Sequence, residues 1–199
     1  MSTTTLSAKR RIAFLVGLLS VVALSSAAFV WSHYARVPKR FAVVVPDRLY
    51  RSGTVTPQQL EWLQREHGIG RVISLLAEDD PVTRAEHTAG DRLGIEWYNI
   101  PLRGNGASTP LDRSRILELL TVPDSPPTLV HCAAGVNRTG LAIGLYRLHC
   151  QHWTLDEVMD ELRSFDFEDL PKHENLRKAL AESATDVATT APSTQPAAE

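Results

Sequence analysis

The sequence predicts an α/β fold: a central, mostly parallel sheet flanked by helices and preceded by an N-terminal transmembrane helix. Three observations predict it. Short apolar runs that read as buried strands alternate with amphipathic stretches. Those stretches carry helix start and stop signals at their ends. Ahead of them, an apolar segment of bilayer length follows a basic cluster.

Taking the elements in order, Lys9-Arg10-Arg11 precedes twenty uncharged, mostly apolar residues, 12–31. A helix of that length spans roughly 30 Å, the thickness of a bilayer core. Two readings stand, an uncleaved signal anchor and a cleaved signal peptide with Ser25-Ser26-Ala27-Ala28 as processing site. The unbroken run through Phe29-Val30-Trp31, with Trp31 and Tyr34 as interfacial aromatics, favours the anchor. The basic residues then keep 1–11 cytoplasmic and make the chain a single-pass protein of the cell membrane. Everything beyond is extracytoplasmic, and periplasmic in a Gram-negative source.

A juxtamembrane linker, 32–40, leads to "FAVVVPDRLYRSG", two strand-like pieces split by Pro46-Asp47. Thr56-Pro57-Gln58-Gln59 offers an N-cap, a first-turn proline and a capping-box glutamine for a helix that stops at Gly68. "RVISLLA" reads as a buried strand, "TRAEHTAGDRLG" as a helix and "IEWYNI" as a strand. After the loop "PLRGNGAST", Pro110 begins a helix capped by Thr109, and "PTLVH" is the last strand. Helices follow from about Arg138 to His152, after the capping box at Thr154, and after Pro171. The folded domain is expected over 41–184. The Ala-, Thr- and Pro-rich tail, 185–199, lacks apolar periodicity and is expected to be disordered.

A net charge of -2 with scattered basic residues gives no field for nucleic acid. The two cysteines, Cys132 and Cys150, form no CxxC pair or Cys/His cluster, so neither a metal nor a disulfide framework is expected. No cofactor is called for. The partners expected are a phosphorylated protein substrate and, through the N-terminal helix, the membrane.

The chemistry lies in "HCAAGVNRTG", 131–140, between the last strand and a helix. Backbone N–H groups in a tight loop entering a helix form an anion-binding nest, to which the helix dipole adds. A cysteine at its first position has its thiolate favoured, which makes Cys132 a nucleophile. Gly135 permits the turn, and Arg138 offers a fork for two phosphate oxygens. The Thr139 hydroxyl is placed to donate to the sulfur. Ala133, Ala134, Gly135, Val136, Asn137 and Arg138 would surround a bound phosphate. The uncharged Ala133, Ala134 and Val136 point away from a polyphosphorylated inositol and towards a phosphoprotein. Tyr50 and Arg51, on an early strand, read as packing residues, and Cys150 stands too far along a continuous helix to resolve Cys132.

These residues resemble the HCxxGxxR[ST]G signature of the cysteine-based protein tyrosine phosphatases. "LYRSG", "VISLL", "YNIPLR" and "GLYRLHCQHWTLDEVMDEL" extend the resemblance to small bacterial dual-specificity phosphatases over roughly 41–180. The resemblance implies a dual-specificity phosphatase-like fold and hydrolysis of phosphotyrosine, with phosphoserine and phosphothreonine as further substrates, through a phosphocysteine. It implies that His131 braces the loop and supports the thiolate. It also implies an aspartic general acid on a separate loop, and there the chain departs: Asn105, beside Arg103, stands at that position. An amide cannot deliver a proton as an acid. Three readings follow: Asp112 supplies the acid, the acidic run Glu78-Asp79-Asp80 does, or the enzyme works without one. A phosphate-binding pseudophosphatase and an inositol phosphate or phosphoinositide phosphatase remain as alternatives.

Overall fold

The computed structural model describes residues 8–190, which fall into two units divided between Val37 and Pro38. The first carries helix α1, Ala8–Arg36. The described side chains of the expected membrane span are those of 12–26, and its apolar members are exposed all round. Among the described residues no helix is long and apolar enough to cross a membrane, which corrects the transmembrane part of the expectation. The expected span, 12–31, extends past the described side chains, which end at 26.

In the second unit five strands form one sheet in the order β1-β2-β5-β3-β4. They are β1, Ala42–Val45; β2, Leu49–Ser52; β3, Arg71–Ser74; β4, Glu96–Asn99; and β5, Thr128–His131. Only β1 at one edge runs antiparallel, and the other four are parallel. Alternate residues supply opposite faces. Leu49, Ile73 and Val130 enter one core with α4 to α7, whereas Tyr50, Val72 and Leu129 enter the other with α2 and α3. Central β5 is flanked by β2 and β3 in a register that sets His131 opposite both Ser52 and Ser74. The loop after His131 therefore leaves the middle of the sheet at its carboxyl edge, where crevices of parallel sheets open.

The helices are α2, Pro57–His67; α3, Pro81–Leu93; α4, Pro110–Thr121; α5, Asn137–Gln151; α6, Leu155–Ser164; and α7, Glu174–Thr190, preceded by a 3-10 turn at Pro171–His173. Both Thr56 and Thr154 form the capping boxes their sequences announce, and α2 and α3 stop at Gly68 and Gly94. α3 begins earlier than "TRAEHTAGDRLG" suggested, because the Asp80 side chain accepts from the Val82 N–H and Pro81 fits the first turn. α7 continues to Thr190, so a disordered tail from 185 is corrected for 185–190, and 191–199 lie outside the described residues. Buried Ser183, 2.7 Å from His149, holds that end of the helix to α5.

Candidate active site

The loop between β5 and α5 is built by turning its carbonyls outward. Thr54 donates its N–H to the Ala133 carbonyl at 3.1 Å and its hydroxyl to the same oxygen at 3.0 Å. Arg40, held by Asp166 at 2.7 Å, donates to the Ala134 carbonyl at 2.9 Å. Arg51 donates to the Gly135 carbonyl at 2.9 Å, and the Gly140 N–H takes the Val136 carbonyl at 2.7 Å. A carbonyl and the next residue's N–H belong to one planar peptide and point opposite ways. Each outward tie therefore turns an N–H inward, and the Gly135 N–H donates to Cys132 Sγ at 3.3 Å. No side chain caps the N-terminus of α5, which leaves its first amides to an anion.

Gly135 is required by space as well as by backbone angle. Its φ is 74°, and a Cβ there would stand 2.6 Å from the Gly53 nitrogen and 2.8 Å from the Ser52 oxygen. The end of β2 and the loop thus touch backbone to backbone.

Cys132 is 1% exposed. Burial pushes its thiol up, yet the Thr139 hydroxyl and N–H, the Arg138 charge and the Gly135 N–H outweigh that and hold it below the ordinary value. The Thr139 hydroxyl also lies 3.4 Å from the Ser52 carbonyl oxygen. The Arg138 guanidinium is braced by the Leu75 carbonyl at 3.0 Å and the Leu102 carbonyl at 3.3 Å. Asn137 donates to the Gly104 carbonyl at 3.1 Å, with His173 Nε2 3.1 Å from the same amide nitrogen. These contacts bring 102–104 against the loop, where the sequence placed the acid-bearing segment.

His131 is fully buried and meets an equally buried partner, Glu86 of α3, at 2.6 Å through Nε2. Burial pulls the imidazole down, but the Glu86 carboxylate and the neighbouring thiol prevail, so its pKa is raised, which favours the charged ring. Arg51 is 1% exposed, its guanidinium 3.6 Å from the centre of the Phe165 ring. Burial pulls it down to about 10, which leaves it charged at neutral pH.

Asp112 and Asp80, two of the candidate acids, cap helices instead. Asp112 Oδ2 accepts from both the N–H and the hydroxyl of Thr109 at 2.8 Å, completing a capping box at the start of α4. It lines a cavity of about 330 Å³ with Pro101, Arg103, Ala107, Ser108 and Thr109, to which no residue of 131–139 contributes. Asn105 Oδ1 accepts the Ala107 N–H at 3.1 Å and shapes its own loop. Asp80 caps α3, while Glu78 and Asp79 are exposed. Among the described residues no group of three or more His, Cys, Asp or Glu side chains is placed to hold a metal.

Sequence reasoning missed Glu86, the loop-holding roles of Arg40, Thr54 and Arg51, and the His173–Asn137 contact. Glu86 had one legible signal, a carboxylate three residues after Thr83 and three before Ala89 on the helix stripe that faces the sheet.

The tyrosine phosphatase family profile matches residues 36–188. The inositol diphosphatase SIW14 of Saccharomyces cerevisiae is 29% identical over 134 residues, covering 65% of this chain and 46% of the relative. The dual specificity protein phosphatase TpbA of Pseudomonas aeruginosa is 29% identical over 133 residues, covering 67% and 56%. The chain thus spans about half the length of these relatives. Among solved structures, the Siw14 catalytic core aligns with a TM-score of 0.62 at 24% identity over 77% of this chain and 92% of that one. Pseudomonas aeruginosa TpbA aligns at 0.58 and 23% over 77% and 99%. These likenesses show the fold.

Proposed function

We propose, for a chain that belongs to the tyrosine phosphatase family, that it is a cysteine-dependent phosphatase of substrates whose leaving group departs with little protonation, foremost a protein's phosphotyrosine. One observation carries the reading: a buried, thiolate-favouring cysteine at the floor of a loop whose carbonyls are all tied outward.

Cys132 Sγ attacks phosphorus in line, so that a P–S bond forms as the P–O bond breaks and its electron pair leaves with the phenolic oxygen. Arg138 and the inward N–H groups stabilise the equatorial oxygens as charge shifts. Water then attacks the phosphocysteine and the P–S bond breaks, with the Thr139 hydroxyl stabilising sulfur as leaving group. Asn105 supplies no proton and Asp112 caps α4. General acid catalysis is commonly worth about 10²–10⁴-fold. A phenol, with a pKa of about 10, leaves far more readily unaided than an alkyl alcohol. Phosphoserine and phosphothreonine are accordingly the slower substrates.

An inositol diphosphate is the second reading, supported by what the SIW14 relative is said to act on and by a leaving phosphate that needs less protonation than a phenol. The uncharged Ala133, Ala134 and Val136 weigh against it, since a polyanionic ring calls for cations around the cradle. A location outside the cytoplasm belongs to the proposal too. It is supported by the basic residues ahead of the apolar run of α1 and tested by fractionating cells with and without residues 1–37.

The test is turnover by the full chain of phosphotyrosine and phosphoserine peptides and an inositol diphosphate, beside Cys132→Ser and Asn105→Asp. Wild type should prefer phosphotyrosine, Cys132→Ser should be inert, and Asn105→Asp should raise the phosphoserine rate manyfold. Turnover no better than Cys132→Ser reduces the cradle to a binding module and sinks the enzyme reading. Preference for the inositol diphosphate overturns the phosphoprotein assignment.

A further inference from the structure

Arg51 lies outside the signature loop and on β2, yet it is among the most deeply buried side chains of the domain. Its Nη2 donates to the Gly135 carbonyl at 2.9 Å. Its Nε and Nη1 are buried without a hydrogen-bond partner. Beneath it sits the ring of Phe165, 3.6 Å from the guanidinium carbon. The charged groups that act on it are Glu161 of α6, Arg147 of α5, Arg40 and Cys132. Of these, Glu161 is already held by Arg147 through Nε and Nη2, so the one carboxylate in the set is taken.

A buried cation without a bonded carboxylate is costly, and chains keep such a group where an anion forms nearby. The anions formed here are the Cys132 thiolate and the substrate phosphate. We propose that Arg51 is a buried positioning cation of the cradle: it holds the Gly135 carbonyl outward, so that the Val136 N–H faces the phosphate, and it supplies positive charge to the thiolate from behind the loop. The proposal rests on Cys132 being the nucleophile. It adds a second cation, reached from the sheet rather than from the helix that carries Arg138. The Phe165 ring favours the charged guanidinium in a place that solvent does not reach.

The experiment reads thiolate formation, not turnover. The full chain is alkylated with iodoacetamide across a pH series, and modification of Cys132 is followed by peptide mass, which separates it from exposed Cys150. Arg51→Met should raise the pH of half-maximal alkylation by about one unit, which is about tenfold slower alkylation at a pH below both values. Arg51→Lys, which keeps the charge, should stay near wild type. An Arg51→Met profile that coincides with wild type overturns the proposal, whatever its turnover. A wild-type Cys132 that alkylates like an ordinary thiol instead overturns the nucleophile reading, so the two failures are distinct. Should Arg51→Met not fold, the Arg51 Nε–H resonance of the wild-type chain, assigned with Arg51→Lys, carries the test. It should move as Cys132 ionises and stay still in Cys132→Ser, and a resonance that does not move in wild type overturns the proposal.

Discussion

Replacing Glu86 by glutamine keeps the volume of the side chain and removes its charge. The partner is His131 Nε2 at 2.6 Å, and both side chains are wholly shielded from solvent. Removing one member of a buried pair outright costs about 3–5 kcal/mol, because the other charge is left unpaired. Glutamine still offers an acceptor, so the expected cost is nearer the gap between a charge-assisted and a neutral contact, about 1–2 kcal/mol. The sign of the pH dependence follows from the direction of the shift. The folded-state pKa of His131 is raised, with Glu86 overcoming the burial that would lower it. Its contribution is therefore fully present below the unfolded value of about 6.5 and is lost as pH rises through the folded one. In Glu86→Gln burial prevails and the ring is neutral at neutral pH. The stability gap between wild type and variant should thus be widest near pH 6 and narrow towards pH 9. Urea unfolding followed by tryptophan fluorescence at both pH values measures it. Equal gaps at the two pH values would mean that the pair is not ionised, and the account of how His131 supports the thiolate would fall with it.

Two further variants separate support of the fold from chemistry. Asp112→Asn should lose about 1 kcal/mol of stability through the weakened capping box while turnover stays within about twofold; a collapse of turnover in a folded protein would return the acid to Asp112. Gly135→Ala places a Cβ 2.6 Å from the Gly53 nitrogen at a φ of 74°. It should cost about 1–3 kcal/mol and, by displacing the Gly135 N–H from the sulfur, lower kcat by about 100-fold; thermal melts and steady-state kinetics check both, and wild-type kinetics would show that the close approach is not needed.

The parts of the fold written in local sequence were legible. Thr56, Thr109 and Thr154 each announce a helix by a residue at the N-cap and its partner three positions on, because a capping box is a contact within one turn. The candidate loop between β5 and α5 was legible for the same reason, since Cys132, Gly135, Arg138 and Thr139 fall within eight residues. What escaped are the contacts that span the chain. Arg40 and Ala134 are 94 positions apart, and Arg51 and Gly135 are 84 apart. They meet only because β2 pairs with β5, a fact of sheet order that no local pattern carries. Glu86 escaped because an inward carboxylate makes sense only once a buried cation is known to face it. The extent of α7 was misjudged because Thr-rich sequence has weak helical propensity, whereas Ser183 against His149 supplies a tertiary tie that overrides it.

The charges around the cradle explain why its chemistry should depend on the leaving group. Three carboxylates near it are already matched: Glu86 to His131, Asp166 to Arg40, Glu161 to Arg147. Arg138 and Arg51, by contrast, are braced by backbone carbonyls, so their positive charge is not cancelled by an anionic partner. Such an arrangement favours the anions of the reaction, thiolate and phosphate, at every stage. On the proposed reading Asn105 gives no proton to the leaving oxygen: the Leu102–Gly104 backbone that Asn137 and Arg138 draw against the loop is followed by an amide whose oxygen is committed to the Ala107 N–H. In the proposed mechanism, attack on phosphorus is helped by these charges and departure is left to the substrate. Across a series of aryl and alkyl phosphates, kcat/KM should fall steeply as the leaving group becomes more basic. In Asn105→Asp, with a proton available, that dependence should flatten.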